Sequence, residues 1–297
     1  MTARKQHLDG LAVACILACC VLWGLNQVAA KLALAEIPPL TQAAARSIGA
    51  ALLVAAWSRA RNIPLWQRDG TLAGGLAAGA LFAAEFACIF VGLQYTTASR
   101  MVIFIYLAPF VIAIGMPFIA ATERLSRRQL AGLAGAFAGV AWAFAEGFST
   151  PSGRELQWVG DSLGFAAAVF WGATTLVIRA TRLSSASAEK TLLYQLAVSG
   201  ALLALGAMLA GESWPGRLSA ASLGPLAFQT VVVSFASYLV WFWLIRHYPA
   251  TPLASFTLLT PILGLLAGVL LLSEPVTLRL VVALAAVTAG IAIVNKR

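Results

Sequence analysis

The chain has 297 residues, of which 61% are hydrophobic and only 10% charged, against about 25% charged in an ordinary soluble domain. That balance excludes a soluble globular protein, and at about 20 apolar residues per crossing it leaves room for roughly ten membrane helices and no folded domain outside them. The net charge of +9 is spread over short segments instead of forming one stripe, which excludes nucleic acid as a partner and suits loops that orient a chain in a bilayer.

Charges, proline pairs and Gly/Ser clusters divide the first half into apolar segments at 10–34, 39–60, 70–94, 97–120 and 129–148. After a linker at 149–157, a second set follows at 158–180, 189–211, 223–246, 249–272 and 277–295, leaving 1–9 and 296–297 as terminal tails. Helices are the expected form of each, because hydrocarbon offers no water to an unpaired backbone. Arg4, Lys5 and the Ala33-Leu34-Ala35 triplet imitate a secretory leader. The apolar run between them is too long for one and carries Asn26 and Gln27, so it is expected to remain as span 1. Cys15, Cys19, Cys20 and Cys88 lie in apolar runs without metal-site spacing and are expected to be unbridged thiols.

Counting Lys and Arg on alternate sides puts fourteen on one face, from Arg4 and Lys5 through Arg59, Arg61 and Arg68 to Lys296 and Arg297. The other face has Arg100, Arg154, Arg217 and Arg279. The excess of positive loops marks the cytoplasmic side, so both termini are expected there, in a bacterial-type inner membrane.

The chain is also written twice. Val21-Leu22-Trp23-Gly24 returns as Val169-Phe170-Trp171-Gly172, 148 residues later. At that offset Asn26 and Gln27 meet Thr174 and Thr175, and Lys31 meets Arg179. Further on, Pro109 answers Pro261, and Thr122-Glu123 with Gly139 answers Ser273-Glu274 with Gly290. Five spans per copy is an odd number, so the second copy crosses in the opposite sense. Inverted repeats of this kind place a substrate site near the midplane between the halves. The expected fold is therefore an all-α polytopic membrane protein of ten transmembrane helices in two inverted-topology five-helix repeats, 10–148 and 158–295.

These residues, with Tyr95-Thr96-Thr97-Ala98 at the start of span 4, Gln129, Gly132 and Glu274-Pro275, give the chain a pattern that resembles the EamA type of the drug/metabolite transporter superfamily over essentially its whole length. The resemblance implies a ten-helix exporter or facilitator of small metabolites, often amino acids, with aromatic amino acids the first to consider.

Ionisable residues within a span mark function or a structural pair, and Arg46, Glu85 and Glu146 stand out. Arg46 lies about 10 Å and Glu85 about 13 Å along their helices from the same face, at 1.5 Å per residue. Adjacent antiparallel helices would let them meet, either to grip a zwitterion or to hold spans 2 and 3 in register. Glu146, near the end of span 5, is expected to snorkel to the surface. Neither Arg46 nor Glu85 has a charged counterpart in the second half, where Ser237 matches Glu85.

Trp23, Asn26 and Gln27 share one helix face, as do Trp171, Thr174 and Thr175. Each set offers a flat apolar wall with orienting polar groups, the alternative being hydrogen bonds between helices. Tyr106 and Tyr238 are candidates of the same sort. Pro109 and Pro261 are expected to kink spans 4 and 9 and provide a hinge. Trp57, Trp66, Trp158 and Trp214 fit an interfacial belt, and Gly75–Gly79, Gly135–Gly139 and Gly264–Gly268 fit close helix packing.

The sequence has no P-loop, no metalloprotease, hydrolase or dinucleotide motif, and neither an enzyme nor a cofactor is expected. The expected partners are a small-molecule substrate and the lipid bilayer. The leading reading is a secondary transporter exporting small amphipathic metabolites by alternating access. A facilitative pore or an organic-cation exporter is the alternative, and unpaired acids would favour the cation. Glu85 would be the carrier if protons move with substrate.

Overall fold

The computed structural model describes residues 8–119, 126–146, 156–248, 253, 256–257 and 259–295. Most of the two tails, the Thr122-Glu123 motif, the Glu146 side chain and most of the 149–157 linker lie outside the described residues. All regular structure among them is helical. The helices are α1 (Gly10–Ala33), α2 (Pro39–Ala60), α3 (Leu72–Gly92), α4 (Ala98–Ile105), α5 (Ala108–Ile119) and α6 (Arg127–Glu146). They continue as α7 (Gln157–Ala180), α8 (Ala188–Leu209), α9 (Ala220–Ala227), α10 (Tyr238–His247), α11 (Leu259–Leu272) and α12 (Leu278–Asn295). Seven helical stretches among the described residues are long and apolar enough to cross a membrane, including 98–119 and 220–244, and Leu259–Leu272 and Leu278–Ile293 are shorter apolar helices.

Two expected spans are not simple helices. Span 4 is broken at Tyr106-Leu107, where Leu107 N–H turns back to Phe104 O at 3.1 Å and Phe110 N–H to Leu107 O at 3.0 Å. The cause is Pro109, which has no N–H to give Ile105 O and whose ring crowds that carbonyl. Instead of kinking a helix interior, it sits in the first turn of α5, where a missing N–H is harmless. Pro261 is likewise the third residue of α11.

Span 8 begins early, at Ala220, and between α9 and α10 it widens into ten residues of π-helix, Phe228–Ser237. Ser234 Oγ donates to Gln229 O five residues back, at 2.8 Å, which matches the π register.

Helix α6 packs along α12, α3 along α7 and α8, and α2 along α8 and the π segment. Helix α1 packs on α11, on α9 and on the π segment, while α4 lies against α7 and α11 and α5 against α7. Missing side chains permit the closest crossings. A Cβ on Gly24 would lie 2.9 Å from Gly264 N, and one on Gly79 would lie 2.8 Å from Tyr194 O. Gly135 departs from the packing expectation, since nothing lies within 4 Å of its Cβ position. The four belt tryptophans, Trp57, Trp66, Trp158 and Trp214, are all exposed, and the four cysteines are free thiols.

Candidate substrate site

The largest fully buried side chain is Arg46 of α2. Its Cζ lies 3.8 Å from the centroid of the Phe86 ring, and its Nε donates to Ser234 Oγ at 2.5 Å. Phe86 belongs to a ladder on α3, 4.6 Å from Phe82 and 6.2 Å from Phe90 between ring centroids. A cation over an aromatic face is attracted to it, so one face of the guanidinium is occupied and its Nε edge is tied. Neither Nη1 nor Nη2 has a hydrogen-bond partner among the described residues.

Glu85 is one residue from Phe86, buried, and within electrostatic reach of Arg46, as is Tyr238 of α10. The expected pair is thus close but not joined: Glu85 Oε2 has no partner among the described residues, and no ion-pair contact links the two side chains. The reason is local. Phe86 and Ser234 hold the guanidinium where its Nη atoms do not meet the carboxylate.

Other buried polar atoms without a hydrogen bond of good geometry among the described residues include Gln42 Oε1, Ser47 Oγ and Ser58 Oγ on α2, both amide atoms of Gln229 on the π segment, Asn26 Oδ1 and Gln27 Oε1 on α1, Thr260 Oγ1 on α11 and Thr288 Oγ1 on α12. Unpaired buried polar groups are costly and rare in native interiors. Their presence on helices from both halves is what a polar cavity within a bundle requires.

The aromatic candidates divide. Tyr106 is buried and meets Trp171 edge to face at 5.7 Å, and it interacts with Thr260 and Tyr238. Trp23 is tied down: its Nε1 donates to Ser237 Oγ at 2.9 Å and its ring meets Trp241 edge to face at 5.5 Å. Thr174 and Thr175 turn their hydroxyls back onto Phe170 O and Trp171 O of their own helix, at 2.9 and 3.2 Å. Those donors are spent within α7, which leaves the two hydroxyl oxygens able only to accept.

Ser234, Gln229 and Gln42 were not legible as site residues. Gln42 and Arg46 share a face of α2 at i, i+4, but Gln229 and Ser234 are five apart and align only in a π-helix.

Several carboxylates fasten helix ends across the chain. Asp161 of α7 binds Arg100 and accepts from Thr96 Oγ1 at 2.7 Å. Arg100, counted among the charges of the outer face, is buried in the first turn of α4. Lys31 donates to Thr96 O. Glu274 accepts from Ala98 N and Ser99 N at 2.7 and 2.9 Å, capping α4 from a distant loop. Glu212 does the same for α2, accepting from Thr41 N and Thr41 Oγ1 at 2.7 and 2.9 Å. At the opposite end, Lys190 of α8 binds Asp69 Oδ2 at 2.8 Å. Lys190 and Thr71 hold the Asp69 carboxyl well below the usual carboxylate range.

Apolar helices of membrane length with buried polar groups among them define a multi-span membrane protein. The EamA-like transporter family profile matches residues 10–145 and 158–296, and the chain belongs to that family of membrane transporters. It is 27% identical over 280 residues to the uncharacterised transporter YvbV of Bacillus subtilis, covering 93% of this chain and 89% of that one. It is 24% identical to proteins named probable amino-acid metabolite efflux pump in Salmonella typhimurium and Escherichia coli, covering 86% of this chain and 85% of each. A solved crystal structure with 22% identity matches the fold with a TM-score of 0.65 over 95% of both chains.

Proposed function

We propose that the protein is a secondary transporter that exports small amphipathic metabolites, amino acids with aromatic or other neutral side chains first among them. It works by alternating access around the Arg46, Glu85 and Tyr238 site. The observation that carries this reading is that Arg46 and Glu85 are buried near one another with Nη1, Nη2 and Oε2 unpartnered among the described residues. A cation and an anion that do not satisfy each other fit the two ends of a zwitterion, and the neighbouring aromatic rings fit its side chain. The two relatives named as amino-acid metabolite efflux pumps support the same substrate class.

In this reading the chain crosses an inner membrane ten times, as two inverted repeats with cytoplasmic termini. The packing supports it. Exchanging each first-half helix with its second-half counterpart carries α3 on α7 into span 8 on α1, and α5 on α7 into α11 on α1, while α2 on α8 and α6 on α12 are unchanged. The repeated Trp-Gly pairs follow suit. Gly24 abuts Leu263 and Gly172 abuts Val111, two positions with the same separation as Pro109 and Pro261.

The unpartnered Glu85 Oε2 favours a second reading, an organic-cation exporter of the same superfamily. The decisive measurement is flux through purified protein in liposomes, with aromatic and other amino acids compared against a quaternary ammonium. Saturable amino-acid flux with counterflow supports the first reading. Flux confined to the cation establishes the second, and flux without saturation or counterflow indicates a facilitative pore.

A further inference from the structure

We infer that Arg46 is an end-on carboxylate receptor and that Ser234, on the π-helical segment, is the residue that sets its orientation, so that the site selects solutes by a free carboxylate. The inference rests on the transporter reading for its physiological meaning but not for its chemistry.

A guanidinium can meet a carboxylate along its Nε and Nη edge or end-on through both Nη atoms. In this site the first mode is closed, because Nε already donates to Ser234 Oγ at 2.5 Å. Ser234 is itself anchored, donating to Gln229 O at 2.8 Å. Phe86 covers one face of the guanidinium plane, with Cζ 3.8 Å from its centroid. What remains is the end-on fork, whose two Nη atoms have no hydrogen bond of good geometry among the described residues, with the Tyr238 side chain close enough to interact with the guanidinium. Gln229, on the π segment that packs against α2, is fully buried with both amide atoms unpartnered among the described residues. Its amide N–H is a third donor for a carboxylate bound there.

The π-helix accounts for the arrangement. Five-residue spacing puts Ser234 Oγ over Gln229 O, a register that an α-helical turn would not provide. Thus Ser234 is a positioning residue acting through Arg46, and Arg46 and Gln229 are the contacts to the solute.

The test is ligand protection of the purified, full-length protein against thermal unfolding, using four probes: phenylalanine, 3-phenylpropionate, phenethylamine and phenylalanine methyl ester. The first two keep the carboxylate and the last two lack it. Phenylalanine and 3-phenylpropionate are expected to protect, with apparent affinities about 10- to 100-fold tighter than the amine and the ester, as the loss of charge-assisted hydrogen bonds implies. Ser234→Ala is expected to raise KM for carboxylate solutes while leaving maximal flux nearly unchanged, and Ser234→Thr to restore it. Equal protection by ester, amine and acid overturns the inference, as does a lack of protection by either acid. Failure of the transporter reading shows differently, as carboxylate-selective protection with no flux of any solute. Because the probe comparison uses the wild-type protein, it stands even where a variant fails to fold.

Discussion

Arg100 and Asp161 grip one another where α4 starts beside α7: Nη2 lies 2.5 Å from Oδ2, and Nε lies 3.1 and 3.2 Å from the two carboxylate oxygens. The same Nη2 donates to Ala143 O of α6 at 2.6 Å. Both side chains are buried, so the pair joins three helices in a medium that punishes an unpaired charge. Replacing Asp161 with Ala is expected to cost about 3–5 kcal/mol, the usual result of stranding one partner of a buried pair. Arg100→Met with Asp161→Leu should recover much of that loss, since it strands no charge. Unfolding of the wild type and the two variants in detergent measures the difference, and equal stability of the single and double variants would refute the pairing account.

Glu212 follows α8 in the chain yet supplies the N-terminal cap of α2, a helix that begins at Pro39 with no side-chain cap of its own. Removing a cap costs about 0.5–2 kcal/mol. Glu212→Ala is therefore expected to lower stability modestly and to speed hydrogen exchange in the first turn of α2, at Leu40 and Thr41. Exchange unchanged at residues 39–42 would show that the cap contributes nothing.

At the other end of α2 and α8, the Asp69 carboxyl is depressed first by its hydrogen bond from Lys190 and then by Thr71. A folded-state pKa below the unfolded one contributes stability that is fully present above the unfolded value and lost as pH falls through the folded value. The stability difference between wild type and Asp69→Asn should thus stay constant from neutral pH down to the ordinary carboxylate range and shrink only in stronger acid. No difference at neutral pH would mean that the Lys190 contact is absent in solution.

Much of this was legible in the sequence. Apolar length located most of the helices to within a few residues, though not the start of the helix at Leu259 or the breaks in spans 4 and 8, and the matched depths of Arg46 and Glu85 agree with their being neighbours. The remainder depended on relationships that no local pattern carries. Asp161 is a single acid in an apolar run, recognisable as a partner only once α4 lies beside α7. The proline rule was applied correctly to Pro109 but at the wrong scale: relief of the clash restarts the helix instead of bending it. Ser234 and Gln229 looked unremarkable because the expected helix was α, in which they point in different directions. Thr174 and Thr175 matched Asn26 and Gln27 in position but not in chemistry, since the two hydroxyls satisfy themselves on their own helix while the amide oxygens of Asn26 and Gln27 have no partner among the described residues.

Gly24 and Gly135 offer a contrast between two helix-interior glycines. A Cβ on Gly24 would lie 2.9 Å from Gly264 N and 3.1 Å from Leu263 C. Those are backbone atoms, so Gly24→Ala must push α1 from α11, at an expected cost of about 1–3 kcal/mol. Gly135→Ala meets nothing within 4 Å and should be neutral or slightly stabilising. Thermal unfolding of both variants decides; equal effects would mean that α1 and α11 do not approach as described.

Pro109 bears on the transport cycle itself. Its missing N–H leaves Ile105 O without the usual partner and separates α4 from α5 at Tyr106-Leu107, and Tyr106 is one of the aromatic residues beside the candidate site. The start of α4 is fixed by Glu274 and Asp161, so movement of the site relative to that fixed end would concentrate at the break. Pro109→Ala supplies the N–H and removes the ring clash, allowing one continuous helix from Ala98 onward. The expected outcome is unchanged or higher thermal stability, retained substrate protection and slower flux in liposomes. If binding and flux fell together, the break would be shaping the site and not acting as a hinge, and Tyr106 would be the residue to follow.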